Sequence, residues 1–152
     1  MKNFVNALVF SLLLVATSSF GYQLSITNNS DGTRVIKHDS EEWVYVDSSK
    51  SYKLYVEKST IGHKGDEVEF HSVTEFNTFE EYNGLPYKIK RIYTYGVMSC
   101  SRSMLMIFVD MYTDLENTIR FSSSFQNGEF AVDMNETGLR KQIKYMVCGD
   151  TV

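Results

Sequence analysis

Proline is almost missing from this chain, and that scarcity is the first constraint. Pro86 stands alone in 152 residues, directly after Gly84-Leu85. It marks a turn, and no proline-rich linker divides the chain. The residues of site chemistry are equally sparse. The three histidines, His38, His63 and His71, are scattered, and no C-x-x-C spacing occurs, so the sequence carries no recognisable zinc cluster or redox dithiol. Basic runs are absent as well. The densest positive group is Lys88, Lys90 and Arg91, which reads as a solvated strand face, and the formal net charge is −4. Nucleic acid and anionic membrane are therefore not expected as main partners. After the leader, no apolar run approaches the roughly 20 residues needed to cross a bilayer. The most apolar stretch, Met104 to Met111, is far too short. No cofactor or metal is called for.

What is present begins with an export signal. Lys2 gives a positive start, Val5 to Ala16 an apolar core, and Thr17-Ser18-Ser19-Phe20-Gly21 the small residues of a cleavage region. Residues 1–21 thus read as a signal peptide cut between Gly21 and Tyr22, with Ala16 and Ser18 offering an earlier site before Ser19. At about 12 residues the apolar core is too short for a membrane anchor. No cysteine lies near the cleavage region for lipid attachment. The expected location is the periplasm, the cell surface or the medium. In such an oxidising compartment the only two cysteines, Cys100 and Cys148, read as one structural disulfide.

Residues 22–42 are polar and turn-rich, around Asn28-Asn29-Ser30-Asp31-Gly32, and predict a loosely held mature N-terminus. From Trp43 the hydrophobic period is mostly two, the signature of strands. Tyr52, Leu54 and Val56 alternate with Lys53, Tyr55 and Glu57. Val68 and Phe70 alternate with Glu67, Glu69 and His71, and the phase shifts at Val73, which predicts a bulge or bend. Pro86 to Met98 is tyrosine-rich. Leu105, Ile107, Val109 and Met111 share one parity and Met104, Met106 and Phe108 the other, so that strand should lie centrally with both faces covered. Ile119, Phe121 and Phe125 alternate with polar residues, and Gln126-Asn127-Gly128-Glu129 predicts a hairpin turn.

The period then changes. Leu139, Ile143 and Val147 recur every four residues, predicting a short amphipathic helix begun near Asn135 or Thr137 and stopped at Gly149. Its basic residues, Arg140, Lys141 and Lys144, are expected towards its C-terminal half. The fold class is α+β: an antiparallel sheet of about six strands with a C-terminal helix, forming one domain over 43–149. A Cys100–Cys148 bond would staple that helix to the sheet and stabilise the fold by about 4 kcal/mol on the chain-entropy model.

The order of these features resembles the surface-adhesin E-like domains of Gram-negative bacteria. Trp43 precedes a strand and the turn Glu57-Lys58-Ser59-Thr60-Ile61. Gly65-Asp66-Glu67-Val68 opens the next strand, a Tyr-rich strand leads into Cys100, a further strand ends at Tyr112, and Cys148 closes the domain. Glu57 stands where the family usually has Asp, and Ser99 where an acidic residue commonly precedes the cysteine. The resemblance implies an exported α+β domain that binds protein partners, in the family host matrix or serum proteins such as vitronectin and laminin.

Catalytic residues are not expected. His71 alternates with acidic neighbours and reads as an exposed surface histidine, not the base of a Ser-His-Asp triad. His63 reads as a turn residue. Glu80 and Glu81 read as loop residues, and Asp110, Asp114 and Glu116 lack the spacing of a calcium loop. The chain is therefore expected to be a non-enzymatic binding protein. The alternatives are a small secreted hydrolase, a hydrolase inhibitor, or a purely structural envelope component. The segment Phe76 to Pro86 has apolar residues without strand periodicity, and Phe79, Tyr82 and Leu85 are the expected partner contacts. Self-association through free sheet edges is open to such a fold, and nothing in the sequence fixes it.

Overall fold

Three long antiparallel strands carry the fold in the computed structural model, which describes residues 25–38, 42–81, 86–125, 130–133 and 139–149. They are β6 (Glu67–Glu81), β7 (Lys88–Ser99) and β8 (Met104–Thr113). β7 lies in the middle, pairing with β6 from Glu67↔Ser99 to Glu75↔Arg91 and with β8 from Arg91↔Thr113 to Ser99↔Met104.

Each outer edge of this trio is covered by two short strands laid end to end. Along β6 run β4 (Tyr52–Glu57) and β5 (Gly62–Lys64), separated by the 3₁₀ turn Lys58–Thr60. Along β8 run β9 (Ile119–Ser124) and β10 (Phe130–Asp133). β3 (Trp43–Ser48) completes the sheet beyond β4. The main sheet thus contains eight strands among the described residues, but they occupy six positions across it, as the periodicity implied. The turn expected at 126–129 lies outside the described residues. Its flanks correct the hairpin reading, because β9 and β10 are both antiparallel to β8 and so run in the same direction.

Two apolar clusters stand on opposite faces of the sheet. Under the helix α1 (Leu139–Cys148), Ile143 and Val147 pack on Leu54, Val56, Val68, Phe70, Met98 and Leu105. On the other face, Val73, Tyr93 and Met111 pack with Trp43 and Ile36. This explains the phase change at Val73 and corrects its reading. Pairing of β6 with β7 is unbroken from Glu67 to Glu75, so no bulge occurs there. What changes is which face is covered.

A bulge does occur in β8. Tyr95 pairs with Val109 and Gly96 with Ile107, leaving Phe108 as the extra residue. Leu105 and Ile107 therefore belong to the helix-side cluster, whereas Val109 and Met111 belong to the opposite one. One parity in sequence is split between two faces. Gly96 sits beside this site, where an added Cβ would lie 2.8 Å from Leu105 Cδ1 and 3.1 Å from the Met106 carbonyl oxygen.

The Cys100–Cys148 disulfide is formed, with the Cα atoms 5.8 Å apart. It joins the β7–β8 turn to the last residue of α1. Asp66 organises the same turn by accepting hydrogen bonds from Ser99 Oγ, Ser101 Oγ and the Ser101 N–H. The helix stops at Gly149, whose φ of +73° suits glycine and whose N–H donates to the Tyr145 carbonyl. Its expected start at Asn135 or Thr137 lies outside the described residues. Arg140 and Lys141 fall in the first turn, not the C-terminal half, and Lys144 donates to Ser103 Oγ at 2.6 Å.

The N-terminal stretch is also corrected. Its described part, 25–38, forms a hairpin of β1 (Ile26–Asn28) and β2 (Arg34–Ile36). Ile36 is 1 % exposed, its N–H donates to the Asn117 carbonyl, and Val35 bridges to Thr118. Composition suggested a loose segment, but one buried isoleucine and a few backbone bonds dock it. Among the described residues, no helix is long and apolar enough to cross a membrane.

Candidate functional site

The loss of periodicity after Glu75 has a definite cause. Between the pairs Glu75↔Arg91 and Glu80↔Ile89, β6 carries four residues, Phe76 to Phe79, against Lys90 alone on β7. The segment is thus an irregular part of β6, not a loop, and Glu80 and Glu81 lie on the paired end of that strand. Phe76 turns towards Tyr52, Asn77 Nδ2 donates to the Lys50 carbonyl, and Lys90 Nζ donates to the Phe76 carbonyl. The distortion leaves Phe79 47 % exposed.

Next to it stands the β8–β9 turn. The Asp114 carboxylate accepts the N–H groups of Glu116 and Thr118 at 3.0 Å each. Asn117 adopts φ +61°, a conformation asparagine tolerates. This tight turn forces Leu115 outward, 57 % exposed. Arg120 binds Asp114 through Nε at 2.8 Å and through its NH2 group at 2.7 Å, and its guanidinium lies 5.2 Å from the Tyr87 ring centroid. Tyr87 is 42 % exposed.

These groups form an open groove of about 330 Å³. It is lined by Phe79, Pro86, Tyr87 and Lys88 from one hairpin and by Asp114, Leu115, Glu116 and Arg120 from the other. Of the expected contacts, Phe79 lies in this groove, while Tyr82 and Leu85 are outside the described residues. Tyr87, Leu115 and Arg120 were not anticipated. Tyr87 reads in sequence as part of a regular tyrosine strand. Leu115 carried a signal, being a lone apolar residue between Asp114 and Glu116 in a turn.

The histidines also differ from expectation. His63 lies on β5 opposite Val68, exposed. His71 is 6 % exposed, not on the surface. Its Nδ1 stands 3.8 Å from Glu57 Oε2 and its ring centroid 5.1 Å from that of Tyr95. Thr60 knits this region by donating to the Glu57 carbonyl and accepting the His71 N–H. Burial disfavours the imidazolium and pushes the His71 pKa down to about 4. Burial, with the Glu69 carboxylate bonded to its hydroxyl, pushes Tyr95 up to about 12.

A second polar cluster underlies the N-terminal hairpin. His38 stacks on Trp43 at 5.3 Å, and its Nδ1 is 3.0 Å from the Tyr93 hydroxyl. That hydroxyl donates to Asn117 Oδ1, which also accepts from Arg91. Arg91 in turn binds Glu75 at 2.8 Å. Tyr93 is fully buried, and desolvation raises its pKa. Both clusters have structural partners among the described residues.

Of the carboxylates weighed in sequence, Asp114 and Glu116 share the groove lining, and Asp110 lies outside it. Asp110 accepts from Thr94 at 2.6 Å, with a pKa raised by burial, while Asp114 is committed to its turn and Arg120. Among the described residues, no group of three or more His, Cys, Asp or Glu side chains is placed to hold a metal ion.

No protein-family model matches the chain, and no curated protein matches it. Solved structures do. Crystal form II of Haemophilus influenzae protein E aligns with a TM-score of 0.51 at 11 % identity, covering 69 % of this chain and 92 % of that one. The fold resembles that of protein E. Two other protein E structures, one of them the selenomethionine form, align with TM-scores of 0.48 and 0.47, each at 11 % identity, covering 70 % and 69 % of this chain and 92 % and 91 % of theirs. At that identity the likeness is one of fold, and the fold implied by the sequence resemblance is the fold found.

Proposed function

We propose that the chain is an exported, non-enzymatic protein-binding module of the bacterial cell envelope, using the groove between its two hairpins as the contact surface. The observation that carries this reading is the exposure of Phe79, Tyr87 and Leu115 around one groove. Large apolar side chains held out of the core on well-anchored turns are the usual anchors of protein interfaces. The formed disulfide fits an oxidising compartment. The protein E-like fold and the sequence resemblance support an adhesive role, with matrix or serum proteins as the partner class.

The test is capture from extracellular-matrix, serum and cell-envelope fractions by the disulfide-bonded protein lacking residues 1–21. A Phe79→Ser/Tyr87→Ser/Leu115→Ser variant should lose affinity for the captured partner by tenfold or more, on the order expected for truncated anchors. Its melting temperature should stay near that of the parent. Equal capture by the variant would remove the groove from consideration.

A further inference from the structure

The β8–β9 turn holds two parts of the molecule at once. Leu115 and Glu116 line the groove, while the next two residues hold the N-terminal hairpin. The Ile36 N–H donates to the Asn117 carbonyl at 3.0 Å, and Val35 forms an antiparallel bridge with Thr118. Between these contacts the turn has little slack. The Asp114 N–H donates to the Thr118 carbonyl and the Asn117 N–H to the Asp114 carbonyl, each at 3.2 Å. The Asp114 carboxylate takes the N–H groups of Glu116 and Thr118. From the sheet, Arg91 donates to the Leu115 carbonyl at 3.3 Å and to Asn117 Oδ1 at 2.8 Å. The Tyr93 hydroxyl reaches the same Asn117 oxygen at 3.1 Å, and it also meets His38, just beyond the hairpin. Asn117 thus holds the hairpin with its backbone and the sheet with its side chain, at a φ of +61°.

Resting on the groove as the contact surface, we infer that the N-terminal hairpin regulates it. The docked hairpin holds the Leu115 wall in place, with Asn117 and Arg91 as the positioning residues. Because bonds close the turn on itself, its five residues move as one unit. A hairpin that leaves takes away the support at Asn117 and Thr118, and the Leu115 backbone loosens with them. An exposed anchor that is not held in place must be ordered when a partner arrives, and that ordering costs affinity. The linkage is reciprocal: an occupant that fixes Leu115 also stabilises the docked hairpin.

The experiment reads amide hydrogen exchange and the Leu115 methyl resonances by NMR under native conditions, without a ligand. In Ile36→Ala the protection of the Asn117 and Thr118 amides should fall about tenfold, the scale of one lost hydrogen bond, and the Leu115 methyls should shift. Cys100→Ala/Cys148→Ala loosens the other lid and serves as the control. It should leave the methyls in place and the protection of these two amides nearly unchanged, since they open locally. Asn117→Gly keeps the positive φ without strain and removes only the side-chain contacts. It should move the Leu115 methyls and, in the reverse direction, lower the protection of the Ile36 N–H several-fold. Turn protection that survives Ile36→Ala while the Trp43 emission shows the hairpin displaced overturns the inference. So does an equal loss in the disulfide variant, or an Ile36 N–H indifferent to Asn117→Gly. Absence of the linkage, with the triple serine variant still losing its captured partner, overturns the coupling alone. An intact linkage with equal capture by that variant removes the groove as a contact surface, and its regulation with it.

Discussion

The two faces of the sheet are closed by different means. Beneath α1 the cluster of Val56, Val68, Phe70, Met98, Ile143 and Val147 is apolar, and its lid is held covalently through Cys148. On the opposite face the lid is the β1–β2 hairpin, and Tyr93, Trp43 and His38 form a polar–aromatic cluster beneath it. The buried Glu57–His71 pair lies on that second side too, since His71 is two residues from Val73 along an unbroken strand. A ten-residue helix has little stability of its own, so a covalent tie and dry packing hold it. The hairpin lacks a covalent tie among the described residues and depends on Ile36, backbone bonds to the β8–β9 turn, and hydroxyl and imidazole contacts. One face resists changes of solvent, and the other should respond to them.

The largest effect expected comes from breaking the covalent lid. Cys100→Ala/Cys148→Ala should lower stability by about 4 kcal/mol at most on the chain-entropy model, read from the urea midpoint. Trp43 is the only tryptophan and reports the hairpin side. Its emission in the folded baseline should therefore not change. A red-shifted baseline would show that the two lids are coupled and the comparison too simple.

The matching damage to the other lid is Ile36→Ala. Truncating this fully buried side chain should cost about 3 kcal/mol. Here the Trp43 emission should shift to the red while the helical circular dichroism persists. Loss of the helical signal at the same denaturant concentration as the fluorescence shift would argue against separate lids.

The third prediction concerns pH. His71 is neutral when folded, with its pKa lowered from 6.5 to about 4, so the unfolded chain binds its proton more readily. Its contribution is complete above about pH 6.5, declines as pH falls towards about 4, and is level below that. The loss over this window is at most about 3 kcal/mol. A His71→Phe variant should show a flatter pH dependence of the urea midpoint between those limits. An unchanged slope would assign the acid sensitivity elsewhere.

The smallest effect is the most local. Tyr93→Phe removes the hydroxyl shared by His38 and Asn117 and should cost about 1 kcal/mol. If calorimetry shows no destabilisation, the polar cluster contributes nothing beyond its packing.

Much of the secondary structure was legible because alternation and four-residue spacing report locally how a segment meets its surroundings. The Leu139, Ile143 and Val147 spacing identified α1, and the paired cysteines identified its anchor. His71 was misread because its acidic neighbours in sequence suggested water, whereas Tyr95 and Glu57 enclose it from other strands. The β1–β2 hairpin was misread because its polar composition outweighed the single residue that docks it. Phe79 could be picked out by its broken periodicity, while Leu115 and Arg120 lie too far along the chain for any local pattern to join them to it.

The sequence by itself determined the α+β class, the expectation of export and the Cys100–Cys148 pairing, all of which depend on local pattern or on residue chemistry. Only the tertiary structure decided which face each strand buries, where Phe108 bulges and moves β8 from one cluster to the other, and that Phe79, Tyr87 and Leu115 share a groove. The reason is physical. Alternation records that a side chain is covered, but the identity of the cover follows from strand register and from contacts distant in the chain.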